Sequence, residues 1–220
     1  MKYDYSSDTS FDKEFKGLCS AKIISFYPWI GSGYMKTERK SVIIGKCHQT
    51  APDGSGKADR NTPEYTREIV FNEAIRKTPT AKIYKDTLKM LYPDEAPNYD
   101  FRKRFWEHVA FFNLAKEQGK TLIGKEEFEA FLEIAKIIKP DQCLFYGISL
   151  NFKNSTTGKT NEDLFKDLSV QVLGEKTETF PNCPSFETAT LEFNGISVKA
   201  VFCEKSVFDE NFGYHFPVVI

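Results

Sequence analysis

The sequence predicts an α/β domain with three layers, α/β/α, in which a mostly parallel central sheet ends in a C-terminal β-hairpin. Three observations predict it. Short apolar runs at residues 40–45, 108–114 and 142–147 have the length of strands buried on both faces. Segments of helical period lie between them, as the crossovers of a parallel sheet require. Period-two alternation around Asn194-Gly195 marks the hairpin.

The elements follow in chain order. Phe11, Phe15 and Leu18 recur at roughly helical spacing in an otherwise polar start. That predicts a short helix within an N-terminal extension, 1–25, packed on a single domain spanning 1–220. A loop with Pro28, Trp29, Gly31 and Gly33 leads to Val42-Ile43-Ile44, a β-branched core too short for a helix and closed by Gly45. Residues 50–63, with their prolines, glycines and charges, form an exposed loop at that strand's carboxyl end. Helices are expected over 66–75, with Ile69, Val70 and Ala74 inward, and over 80–91, with Ile83, Leu88 and Leu91 inward. The basic Arg102-Lys103-Arg104 precedes the second strand. Lys125 opens a helix carrying Phe128, Phe131, Leu132, Ala135 and Ile138 on one face until Pro140 stops it, and the third strand follows directly. Residues 161–173 are expected to be helical, with Leu164, Leu168 and Val172 on one side and Asn161 as the cap. The hairpin arms flank Asn194-Gly195, the second running through Phe202.

Composition excludes several classes. Over 220 residues, 40% hydrophobic and 28% charged side chains fit neither a disordered nor a fibrous chain. Thirty Lys plus Arg against 31 Asp plus Glu leave a formal charge of -1, so nucleic-acid binding would need a local basic patch. No apolar run approaches the ~20 residues of a spanning helix, and the start, Met1-Lys2-Tyr3-Asp4-Tyr5-Ser6, lacks the apolar core of a signal peptide. A cytoplasmic protein without membrane association is expected. Five cysteines (Cys19, Cys47, Cys143, Cys183, Cys203) are odd in number and widely spaced, as reduced and mostly buried thiols are. None has zinc or iron-sulfur spacing, so no metal or other cofactor is expected.

In open α/β sheets ligands bind at the carboxyl ends of the strands. The segments there are Gly45-Lys46-Cys47-His48-Gln49, Phe111-Phe112-Asn113, Tyr146-Gly147-Ile148-Ser149 and Cys203-Glu204-Lys205-Ser206. Together they hold a thiol, an imidazole, an amide, hydroxyls and a Glu/Lys pair, a richer polar set than folding needs.

These residues carry a resemblance. The series Trp29-Ile30-Gly31-Ser32-Gly33-Tyr34, Gly45-Lys46-Cys47-His48, Tyr65-Thr66-Arg67, then Phe105-Trp106-Glu107-His108-Val109-Ala110-Phe111-Phe112-Asn113 and Lys139-Pro140-Asp141 before a strand with Gly147 resembles the uracil-DNA glycosylase superfamily, in a bacterial branch with degenerate motifs. The resemblance runs from Trp29 to the C-terminus. It implies a four-stranded, largely parallel sheet flanked by helices, with a base-sized pocket at the strand ends. Residues 45–49 fall where catalytic members have Gly-Gln-Asp-Pro-Tyr, so Cys47 stands in the place of the acid that positions or activates water. A thiol is a poor substitute for a carboxylate that must stay ionised beside an oxocarbenium-like centre. Asn113 matches the asparagine that reads the Watson-Crick edge of a flipped uracil, offering one donor and one acceptor. The family's closing His-Pro-Ser is replaced by Cys203-Glu204-Lys205-Ser206, which leaves an electrophilic role only to Lys205 or His48. The resemblance thus implies a partner that is a nucleobase, a nucleotide or DNA. It leaves three activities open: a binder that does not cut, a nonstandard N-glycosidic hydrolase using His48, Cys47 and Glu204, or an interaction protein on the same scaffold.

Each candidate also has a plain reading. Gly45, Lys46, Arg67, Asn113, Lys205 and Ser206 line a base or ligand site in one view. In the other, Asn113 only terminates its strand, Arg67 is a solvated surface charge, and Glu204 and Lys205 face water. His48 is a proton donor or base contact, or else a loop imidazole bonded to backbone, and Cys47 is a reactive thiol or a small packing group. Trp29 and Tyr34 stack on a base or cover the sheet edge, and Arg102-Lys103-Arg104 meets a phosphate or water.

Overall fold

A computed structural model describes residues 7–48, 62–79, 81–91, 98–117, 119–120, 122–178 and 186–203. Their elements are helix α1 (Asp12–Ser20), strand β1 (Trp29–Ile30), a 3-10 turn (Tyr34–Lys36), β2 (Ser41–Gly45), α2 (Tyr65–Ile69) continuing as a π-helix (Val70–Arg76), α3 (Lys82–Leu91), α4 (Tyr99–His108), β3 (Val109–Asn113), α5 (Lys125–Ile138), β4 (Gln142–Tyr146), α6 (Asn161–Asp167), β5 (Gln171–Glu178), β6 (Phe186–Phe193) and β7 (Ile196–Cys203). The fold is α/β, one seven-stranded sheet in the order β1-β3-β2-β4-β7-β6-β5 with six α-helices among the described residues.

The three apolar runs are the middle of this sheet. Alternate side chains of each strand point to opposite faces, and both faces are covered. Val42, Ile44, Phe112 and Phe145 share one core with Phe15 of α1, Phe128 and Phe131 of α5 and Phe165 of α6. Ile43, Phe111 and Leu144 share the other with Val70, Tyr84 and Leu88, and with Phe105 and Trp106 of α4. Burying each such side chain contributes roughly 1.5–3 kcal/mol.

The sheet is mixed, which corrects the expectation that it is mostly parallel. β2 runs parallel to β3 and β4, and β4 runs parallel to β7. β1 lies antiparallel on β3, β6 on β7 and β5 on β6. The Asn-Gly turn is where the chain reverses, with Asn194 at φ 49° and Gly195 at φ 75°, the positive pair that a tight hairpin needs. β5 is a second correction. The helix expected over 161–173 stops at Asp167, since Ser169 takes a positive φ of 60° and Val172 and Leu173 continue as an edge strand. Thr160, not Asn161, is its cap: the Thr160 hydroxyl accepts from the Asp163 N–H, and the Asp163 carboxylate accepts from the Thr160 N–H.

The basic triplet lies in α4, a helix capped by Asn98, whose side chain accepts from the Phe101 N–H. Arg102 is buried there and donates Nε–H to the Ile75 carbonyl at 3.1 Å, while Lys103 faces Glu107 at 3.5 Å. Trp29 and Tyr34 are both fully buried, so neither is a stacking surface. Trp29 forms the edge strand on β3 and donates its indole N–H to the Trp106 carbonyl at 2.8 Å. The approach is close: a Cβ on Gly31 would lie 2.3 Å from the Glu107 carbonyl oxygen.

α1 is held by a fork of charge. The Arg67 guanidinium meets both oxygens of the Asp12 carboxylate, at 2.5 and 3.2 Å, and donates Nε–H to the Pro28 carbonyl at 3.1 Å. The Tyr27 ring lies 5.3 Å from the guanidinium carbon. Arg67 is only 2% exposed, so removing its counter-charge leaves a buried cation uncompensated. Asp12→Asn is expected to lower the unfolding free energy by about 1.5–3 kcal/mol. The urea midpoint at constant m-value measures it, and an unmoved midpoint would mean that Phe11 and Phe15 alone dock the helix.

Candidate ligand-binding site at the strand tips

Register brings the carboxyl ends of the parallel strands to one edge. Gly45 pairs with Asn113, Ile44 with Phe145, and Tyr146 with Cys203. The β2–β3 ladder then continues past both strands: Leu114 N–H donates to Gly45 O, Ala115 N–H to Lys46 O, and Gly119 N–H to His48 O, each at 2.9 Å. This extension holds the segment 45–48 across from Asn113. A cavity of about 360 Å³ opens at these tips, lined by Lys46, Cys47, His48, Asn113, Tyr146 and Gly147. Its other walls are Phe111 from the sheet, Ile69 and Glu73 from α2 and its π-helical continuation, and Ala81, Ile83 and Tyr84 from α3 and the residue before it.

Both nitrogens of His48 are engaged. The Asn113 amide nitrogen can only donate, so at 3.1 Å it makes His48 Nδ1 the acceptor. The neutral ring then carries its hydrogen on Nε2 and donates it to Thr66 Oγ1 at 3.0 Å. Phe26 and Tyr65 pack edge-on against the imidazole, with centroids at 5.0 and 4.9 Å. Burial lowers its pKa from 6.5 to about 4, so the ring is neutral near pH 7. Its geometry orients the Asn113 amide.

Gly45 makes room for that amide. A Cβ at Gly45 would sit 2.2 Å from Asn113 Oδ1 and 2.9 Å from the Ile83 side chain. On the far wall Tyr146 donates its hydroxyl to Asp86 at 2.5 Å, both groups being buried. Burial, followed by the hydrogen bond to Asp86, raises the Tyr146 pKa above its ordinary value. Tyr84, 3% exposed, packs its ring edge-on against Trp106 and Phe111. Burial first, then the Tyr65 phenol and the Glu73 carboxylate, keep it protonated.

Of the residues singled out in sequence, Lys46, Cys47, His48 and Asn113 meet at the cavity, with Gly45 directly beneath the amide. Cys47 is half-buried and also touches the core under the sheet. Arg67 is not in the lining; it is committed to Asp12 and Pro28. Ser149 turns away to donate to Glu187, a buried carboxylate on β6 that also accepts the N–H groups of Leu150 and Asn151. Cys203 is buried at the end of β7, while Gln49, Glu204, Lys205 and Ser206 lie outside the described residues. Tyr146, named among the strand-end segments, is in the lining, whereas Glu73, Tyr84 and Asp86 are site residues that the sequence did not single out. No local pattern marks them, since they come from α3 and from the π-helical continuation of α2 that pack over the strand ends. Among the described residues no group of three or more His, Cys, Asp or Glu side chains is placed to hold a metal ion.

Comparisons with protein-family models, with curated proteins and with solved structures found no match.

The depressed pKa of His48 has a consequence for stability. The unfolded imidazole titrates near 6.5 and the folded one near 4, so between these values the unfolded state binds the extra proton. Stability is full above about 6.5 and falls as pH drops towards 4. Thermal melts between about pH 7 and pH 4.5 should therefore decline less steeply for His48→Gln than for the wild type. Equal slopes would mean that the imidazole takes its proton while folded.

Proposed function

We propose that this chain is a uracil-DNA glycosylase-like protein that binds a nucleobase or nucleotide in the cavity at the tips of β2, β3 and β4. The observation that carries the reading is Asn113, the last residue of β3. Its amide lines a cavity walled by Phe111 and Tyr84 and is held in orientation by His48. A fixed amide in a cavity is the chemistry that reads the edge of a planar heterocycle. About 360 Å³ falls at the small end of the ~300–1,000 Å³ of small-molecule sites. The parallel strands in the order β3-β2-β4-β7, with helices packed in both cores, support the three-layer arrangement.

A free base or mononucleotide is favoured over a polynucleotide. Tracking a DNA backbone needs clustered, available cations, and Arg67 and Arg102 are turned inward while Lys103 faces Glu107. Binding is likewise favoured over hydrolysis. Glycosidic cleavage wants an ionised group beside the anomeric carbon, whereas His48 is neutral with both nitrogens occupied.

Asn113→Ala should weaken nucleoside binding, measured by calorimetry, about tenfold or more. Gly45→Ala should do the same with Asn113 itself left in place, because the new Cβ displaces Oδ1 and turns the amide. Undiminished binding in both variants would move the site elsewhere. Incubation with uracil- and hypoxanthine-containing single- and double-stranded DNA tests the chemistry: no abasic sites are expected, and base release abolished by Asn113→Ala would replace the binder with a hydrolase.

A further inference from the structure

The polar groups of the cavity are arranged as well as numerous. Tyr146 has committed its hydrogen to Asp86, so towards any further partner its oxygen can only accept. Glu73 brings a carboxylate into the lining, with its counter-ion Lys77 outside on the next turn. Beside it Tyr84 is almost wholly buried, yet its hydroxyl makes no hydrogen bond with the described residues, although it stands in the cavity wall. The hydroxyl oxygen is not itself sealed from solvent, so a ligand in the cavity can reach it, and it can donate or accept. Asn113 has spent one amide hydrogen on His48 and keeps the other.

The cavity thus offers an acceptor at Glu73, a hydroxyl at Tyr84 that can donate or accept, and a donor at Asn113. We infer that it selects cytosine over uracil: Glu73 accepts from the exocyclic amino group, the Tyr84 hydroxyl donates to the ring nitrogen beside it, and the remaining Asn113 amide hydrogen goes to the ring carbonyl. The inference rests on the nucleobase reading above. A carboxylate accepting from the cytosine amino group is an established complementary pair. Uracil differs where it matters: it turns a carbonyl towards the carboxylate, while its ring N–H can still donate to the Tyr84 oxygen. Its carbonyl would face a like-charged oxygen, a contact a binding site rejects.

The test is calorimetric titration of the full chain with cytidine 5′-monophosphate and uridine 5′-monophosphate, with the adenosine and guanosine monophosphates as further arms. The cytidine nucleotide should bind at least about tenfold tighter than the uridine one. Glu73→Gln, isosteric and partly exposed, should shrink that preference to below about threefold while the circular dichroism spectrum stays native. Tyr84→Phe should weaken both nucleotides, since the hydroxyl can serve either ring nitrogen. Uridine binding as tight as cytidine, or a preference that survives Glu73→Gln in a folded protein, overturns the inference and leaves the nucleobase reading standing. Failure of all four nucleotides to bind overturns both.

Discussion

Because β2 pairs in parallel with β3 on one side and with β4 on the other, the chain has to leave all three strands at the same edge of the sheet. Everything chemical in this protein follows from that constraint. A parallel ladder sets the last residues of neighbouring strands side by side, so Gly45, Asn113 and Tyr146 become neighbours although the chain between them is long. The connections must then travel over the faces as helices, and α3, returning from one such journey, closes the tips from above with Ile83 and Tyr84. The cavity is the space left between a row of strand ends and the helix that covers it.

Desolvation decides the chemistry inside that space. His48 is a histidine whose burial removes its charge, so it works as a hydrogen-bonded spacer between Thr66 and Asn113. The tyrosines on the far side are likewise held protonated. What remains is a set of neutral directional groups together with Glu73 and Lys46 in the lining and Asp86 behind Tyr146, an arrangement suited to reading a pattern of hydrogen-bond donors and acceptors.

Much of the central architecture was legible, and the reason is physical. Strands covered on both faces need uninterrupted apolar side chains, so Val42-Ile43-Ile44 and Val109-Ala110-Phe111-Phe112 announce themselves, and Asn194-Gly195 names its own turn. Elements stabilised by side chains that violate the pattern were not legible. α4 turns Arg102 inward to cap the carbonyl of Ile75, and β5 is an exposed edge strand whose residues alternate nothing, so it reads as the tail of α6. In the site, residues adjacent to strand ends could be named because topology alone delivers them. Arg67 was misread because its partner, Asp12, lies 55 residues away and belongs to another helix. Tyr84 and Asp86 come from the helix that covers the tips, and which of its faces points at the strands is a matter of packing that no local period encodes.

The carboxylate of Glu187 ties the antiparallel part of the sheet to the loop that follows β4, accepting from Ser149, Leu150 and Asn151, while Gly147 N–H donates to Cys203 O across the same boundary. That boundary is therefore not a seam along which the molecule opens in two stages. Fraying of the outer strands releases the backbone on which Tyr146 and Gly147 are mounted, so amide-exchange protection of the hairpin and the shape of the cavity are coupled.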